Sequence, residues 1–134
     1  MHAIRIALSA LLLAGCTTLD YQPRAISEHE AYAVITAVTA QQPASTYLDS
    51  RFLGFRDSTE TASGTLQDIR ERIYFSSLDG IELRRHGPGY LVRLSGPGGD
   101  TLREFLIAER PLAERFVDAL AYYRANAPAF TGLK

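Results

Sequence analysis

The spacing of apolar residues changes several times along the chain. From Ile6 to Ala14 almost every position is apolar, IALSALLLA. Between Ser27 and Pro43, SEHEAYAVITAVTAQQP, the apolar residues recur at helical intervals and leave little polar surface in the middle. From Thr46 to Ala108 the period shortens to two, which is the signature of half-buried strands. Beyond Pro111 the helical interval returns, with Leu112, Phe116, Ala119, Leu120 and Tyr123 on one stripe and Glu114, Arg115, Asp118 and Arg124 largely elsewhere. The pattern predicts an α+β protein: an N-terminal helix, a rolled antiparallel sheet and an amphipathic C-terminal helix.

Local signals sharpen the boundaries. Ser27 and Glu30 form an S-x-x-E capping box, so the first helix starts at Ser27, and Pro43 closes it. A helix that is apolar nearly all round packs on its own domain or is covered by a partner. TYLDSRFLGFRDS reads as one strand, and TETASG as a turn. IRERIYFSS places Ile69, Ile73 and Phe75 on one side and Arg70, Arg72 and Tyr74 on the other. Pro111 suits the first turn of the last helix, and Pro128 ends it.

The stretch GIELRRHGPGYLVRLSGPGGDTLREFLIAE carries two turn clusters, HGPG and PGGD, between three strands. A loop at His86–Gly89 sets Arg85 opposite Tyr90, Leu83 opposite Val92, Ile81 opposite Leu94 and Glu82 opposite Arg93. A second turn at Pro97–Asp100 sets Val92 opposite Phe105, Tyr90 opposite Ile107 and Arg93 opposite Glu104. Both registers bring apolar residues together and opposite charges together, and a slip of one residue would break both. A Glu82–Arg93–Glu104 ladder follows, with Arg84, Leu91 and Leu106 on the same outer face.

Composition narrows the function classes. The chain has 134 residues and a formal net charge of -1, which is short of the basic balance that a general nucleic-acid surface needs. Thirteen of its cations are arginine and one, Lys134, is lysine. A single cysteine, Cys16, excludes an intramolecular disulfide and any multi-cysteine metal site, and the histidines are His2, His29 and His86.

Cys16 closes the first apolar run. Arg5 and the N-terminal amine supply a positive start, and the run is too short for the about 20 apolar residues that span a bilayer. Leu13, Ala14, Gly15 and Cys16 spell LAGC, which resembles a bacterial lipobox. The resemblance implies a diacylglycerol on the Cys16 sulfur, cleavage before Cys16 and acylation of the new amine. It divides the chain into a leader at 1–15, a lipidated tether at 16–26 and a single globular domain at 27–134. Thr17 follows the cysteine, where an aspartate would favour inner-membrane retention, so the outer membrane, facing the periplasm, is the expected location. Each buried methylene contributes about 0.8 kcal/mol, so several acyl chains make a near-permanent anchor.

A second resemblance covers roughly residues 51–127. RIYFSSLDGIELRR, YLVRL and EFLIAERPLAERFVDAL are similar to the strand, strand and helix pattern of bacterial pleckstrin-homology/GRAM domains. Leu78, Ile81 and Leu83 fill the step into the strands, and Phe116, Ala119 and Leu120 the helix. The resemblance implies a rolled antiparallel sheet plugged at one end by the C-terminal helix. It implies no reaction.

Candidate chemistry is sparse. No serine, Ser76, Ser77 and Ser95 included, stands in G-x-S-x-G or S-x-x-K. His86, Asp57, Glu60 and Asp79 are turn and loop residues by context. GPGG lacks the P-loop frame. The expectation is a non-catalytic module with no metal or cofactor beyond the Cys16 lipids. Its partners would be the membrane, through the anchor, and an envelope protein, and not nucleic acid. The candidate interaction face is Arg84, Leu91, Arg93, Glu104 and Leu106. Arg70 and Arg72 share a strand face and are candidate anion contacts. The alternative is a binder or sensor of a small apolar ligand or lipid, lined by Tyr32, Phe52, Phe55 and Tyr74.

Overall fold

A computed structural model of the chain describes residues 16–56 and 69–128. Residues 1–15, expected as a leader, and the residues around Asp57 and Glu60, expected as a loop, lie outside the described residues. The elements run β1 (Cys16–Thr18), α1 (Glu28–Thr39), β2 (Thr46–Leu48), β3 (Phe52–Arg56), β4 (Ile69–Tyr74), a short 3-10 turn at Phe75–Ser77, β5 (Gly80–His86), β6 (Gly89–Ser95), β7 (Thr101–Ile107) and α2 (Arg110–Ala125). Two antiparallel sheets result, one ordered β1-β5-β6-β7 and the other β2-β3-β4. The fold is α+β.

Both hairpins of the larger sheet have the register that side-chain pairing demands. Leu83 faces Val92 and Glu82 faces Arg93, while Val92 faces Phe105 and Arg93 faces Glu104. The β6–β7 turn is tight because Gly98 and Gly99 take φ of +86° and +87°, a region closed to most side chains. A bulge between Leu94 and Ser95 shifts the last pair to Ser95–Thr101.

The stretch 46–58 is not one strand. It folds back at Asp49 into β2 and β3, because the Asp49 carboxylate captures the turn: Oδ1 accepts from the backbone N–H groups of Arg51 at 2.8 Å and Phe52 at 3.1 Å. A short polar side chain that bonds its own backbone two residues on competes successfully with strand extension. β4 likewise ends at Tyr74, and Phe75 turns into the core with no exposed surface.

The core lies between the sheets and α2. Phe105 is fully buried, its ring centroid 5.0 Å from Phe116 in an edge-on contact and 6.2 Å from Phe55 of the other sheet. Phe75 stacks 5.0 Å from Tyr123. Arg103 ties the two sheets together from outside: its guanidinium lies 3.7 Å from the Phe55 ring centroid and donates to Glu71 at 2.8 Å. Ser27 Oγ accepts from the Glu30 N–H at 3.1 Å and caps α1, which buries Ala31, Ile35 and Val38 in the core and packs on α2. The first helix therefore docks on its own domain.

Candidate interaction site

The segment expected as a tether lies along the domain. Thr17 and Thr18 pair with Arg85 and Arg84, and the Leu19 N–H continues the ladder to the Leu83 carbonyl at 2.8 Å. Beyond it the chain crosses α2 at Asp118. This carboxylate was expected with the polar positions of the helix, yet the residue is 1% exposed. It accepts from the Tyr21 hydroxyl at 2.8 Å, the Arg24 backbone N–H at 2.8 Å and Arg115 Nη1 at 2.6 Å. Arg115 also reaches Glu30 on α1 at 3.1 Å, so one cluster fastens the leading segment to both helices. Burial, and then the bond to Asp118, push the Tyr21 hydroxyl above its ordinary pKa. The bond to Asp118 holds the Arg115 guanidinium still more firmly protonated.

The expected interaction face divides. Arg93 Nε donates to Glu104 at 2.7 Å across β6 and β7, both partly exposed. Glu82 accepts instead from Arg84 on its own strand at 3.3 Å, and Arg84 also donates to Thr18 Oγ1 at 2.7 Å. Leu91 stands in register between Arg84 and Leu106 but is only 6% exposed, so it is not available to a partner. Leu106, at 59% exposure, is open. It lines a groove of about 380 Å³ with His86, Pro88, Tyr90, Ile107 and Ala108.

The other expectations fall as follows. Arg70 and Arg72 are both exposed on β4, and the Arg72 guanidinium lies over the Phe52 ring at 5.4 Å. The four aromatics named for an apolar ligand stand in different surroundings. Tyr32 is 52% exposed on α1, Phe55 lies in the main core, and Phe52 packs edge-on against Tyr74 at 5.3 Å. Asp79 is exposed just before β5. His86 is exposed as the last residue of β5, paired with Gly89, so the hairpin loop is Gly87–Pro88 and not the expected His86–Gly89. Among the described residues no three of His, Cys, Asp and Glu gather to hold a metal, and no helix is long and apolar enough to cross a membrane.

Sequence reasoning missed the Asp118 cluster and the groove. The Asp118 cluster had one faint signal, a carboxylate placed directly between Val117 and Ala119, which are both buried. The comparisons add no relative: no family model, no curated protein and no solved structure matches the chain.

Proposed function

We propose that the chain is a bacterial envelope lipoprotein, held to the outer membrane by lipid on Cys16, whose pleckstrin-homology/GRAM-like domain acts by binding a protein partner. One observation carries the reading. LAGC places the single cysteine of the chain directly behind a short apolar run with a positive start. Cleavage before Cys16 would release residues 1–15, the expected leader. Among the described residues, strands β2 to β7 followed by a helix packed on β5, β6 and β7 support the domain reading.

The partner surface is assigned to the sheet face of Arg93 and Glu104, a charged pair partly open to solvent. The test is crosslinking of the full-length lipidated protein in its native membrane, followed by mass spectrometry. The expected result is one reproducible protein partner, lost when Glu104 is replaced by Arg while the melting temperature stays near that of the parent. Capture of nothing above background would overturn the interaction reading.

A further inference from the structure

Four chain positions share one end of the larger sheet. Cys16 pairs with His86, and His86 pairs with Gly89 across the hairpin. Gly89 in turn lies against Ile107 and Ala108: a Cβ built on it would stand 3.3 Å from the Ile107 carbonyl oxygen and 3.6 Å from Ala108 Cα. Adjacent strands are about 4.8 Å apart, so the row from Cys16 to Ala108 is only roughly 14 Å wide.

This end carries exposed apolar surface beside charged and polar groups. The groove of about 380 Å³ opens here, lined by His86, Pro88, Tyr90, Leu106, Ile107 and Ala108. Leu106 is one of two large apolar side chains that stand exposed among the described residues. The cations on this end are Arg85, whose guanidinium lies 5.6 Å from the Tyr90 ring centroid, and Arg110, which Glu114 holds at 2.9 Å. Glu109 is exposed beside Arg110, so attraction for anions rests on Arg85, with the exposed His86 beside it as a hydrogen-bonding group.

We propose that this end of the sheet lies on the lipid bilayer, with Pro88 and Leu106 at the acyl boundary and Arg85 and His86 against the phosphates of acidic headgroups. The inference rests on the anchoring reading above. An acylated Cys16 sits at the interface, and no slack separates it from the domain: β1 starts at Cys16, and the chain after it is bonded to β5 and then to Asp118. Residues that share its sheet end are thereby held at headgroup level. Apolar groups placed there sink about 5–10 Å into the boundary between headgroups and acyl chains. Basic groups are drawn to a negative lipid surface within a Debye length.

The experiment uses the full chain, lipidated in a bacterial host and reconstituted into vesicles of phosphatidylethanolamine and phosphatidylglycerol. Acylation consumes the Cys16 thiol, so Pro88→Cys, Leu106→Cys and Ser77→Cys each add one labelling site. Ser77 precedes β5 at its far end, about 20 Å of strand away. An environment-sensitive fluorophore at 88 and 106 is expected to shift to the blue and to be quenched by nitroxide-bearing lipid, with neither effect at 77. Quenching at 88 is expected to fall in vesicles of zwitterionic phosphatidylcholine. Equal quenching in the two lipids would remove the headgroup role of Arg85 and His86. Aqueous emission at all three sites in vesicle-bound protein, with an intact mass that carries the acyl groups, would overturn the orientation and leave the anchor standing. A mass without lipid, with protein free of the vesicles, would overturn both. Two labelled sites at the groove keep the test decisive if one variant melts early.

Discussion

Tyr21 and Asp118, 97 residues apart in the chain, meet through a 2.8 Å hydrogen bond that closes the leading segment over the C-terminal helix. The carboxylate is the hub, since it also takes the Arg24 backbone N–H and an Arg115 guanidinium nitrogen. A buried charge is tolerated when it is paired and its lone pairs are filled, and Asp118 meets both conditions.

Removing that hub frees the segment. Asp118→Ala takes the acceptor from the Tyr21 hydroxyl and the Arg24 backbone N–H and leaves the Arg115 guanidinium only Glu30 and the Ala25 carbonyl. Hydrogen bonds to charged groups contribute about 1.5–3 kcal/mol each, and partial exposure of Tyr21 and Arg115 keeps the total within that single-bond range, at about 2 kcal/mol. The expected result is a lower denaturation midpoint and faster tryptic cleavage after Arg24. Unchanged protection of that bond in the variant would contradict the account.

Asp49 makes the β2–β3 turn sensitive to acid. Burial raises its pKa, but the N–H groups of Arg51 and Phe52, together with Tyr47 and the Arg51 side chain, outweigh this and hold it below the ordinary carboxylate value. A folded-state pKa below the unfolded one means stability that is present at neutral pH and lost as the pH falls below about 4. Asp49→Asn keeps an oxygen for the two backbone donors and has no charge to lose. The parent is expected to exceed the variant in melting temperature at pH 7, and the gap to close on acidification. A gap that persists unchanged to low pH would contradict the role given to the charge.

Gly54, on β3, has no room for a side chain unless Ile69 shifts. A Cβ there would stand 2.9 Å from Ile69 Cγ2, 3.2 Å from Ile69 Cδ1 and 3.3 Å from Phe52 Cε1. Gly54→Ala is expected to destabilise by about 1–3 kcal/mol through overpacking, despite the better strand propensity of alanine. Urea unfolding measures it, and a gain in stability would show that Ile69 yields without cost.

The hairpins of the larger sheet were legible because two signals agree at each register. Arg93 opposite Glu104 and Val92 opposite Phe105 are satisfied by one alignment and broken by its neighbours. The start of α1 was legible for a similar reason, since Ser27 and Glu30 mark a local backbone event, whereas the helix stops at Thr39, short of the expected Pro43. Events that need distant chain were not. β1 is a three-residue strand whose only cause is β5, far along the sequence. Periodicity assigns a carboxylate such as Asp118 to solvent, and only the returning segment reverses that. Leu91 shows the same limit: parity places it correctly on the outer face, but its burial depends on neighbours that parity does not see. The groove beside Leu106 is a property of the hairpin end and α1 together, because Gln41 after the helix also lines it.

The central claim is the anchor, and an intact mass tests it most directly. Full-length protein and its Cys16→Ala variant are expressed in a bacterial host, separated into membrane and soluble fractions, and weighed. The account predicts a membrane-bound parent that begins at Cys16 and carries a diacylglycerol and an N-acyl chain, beside a variant that keeps its leader and gains no lipid. A parent recovered unmodified, with Met1–Gly15 still attached, would contradict it.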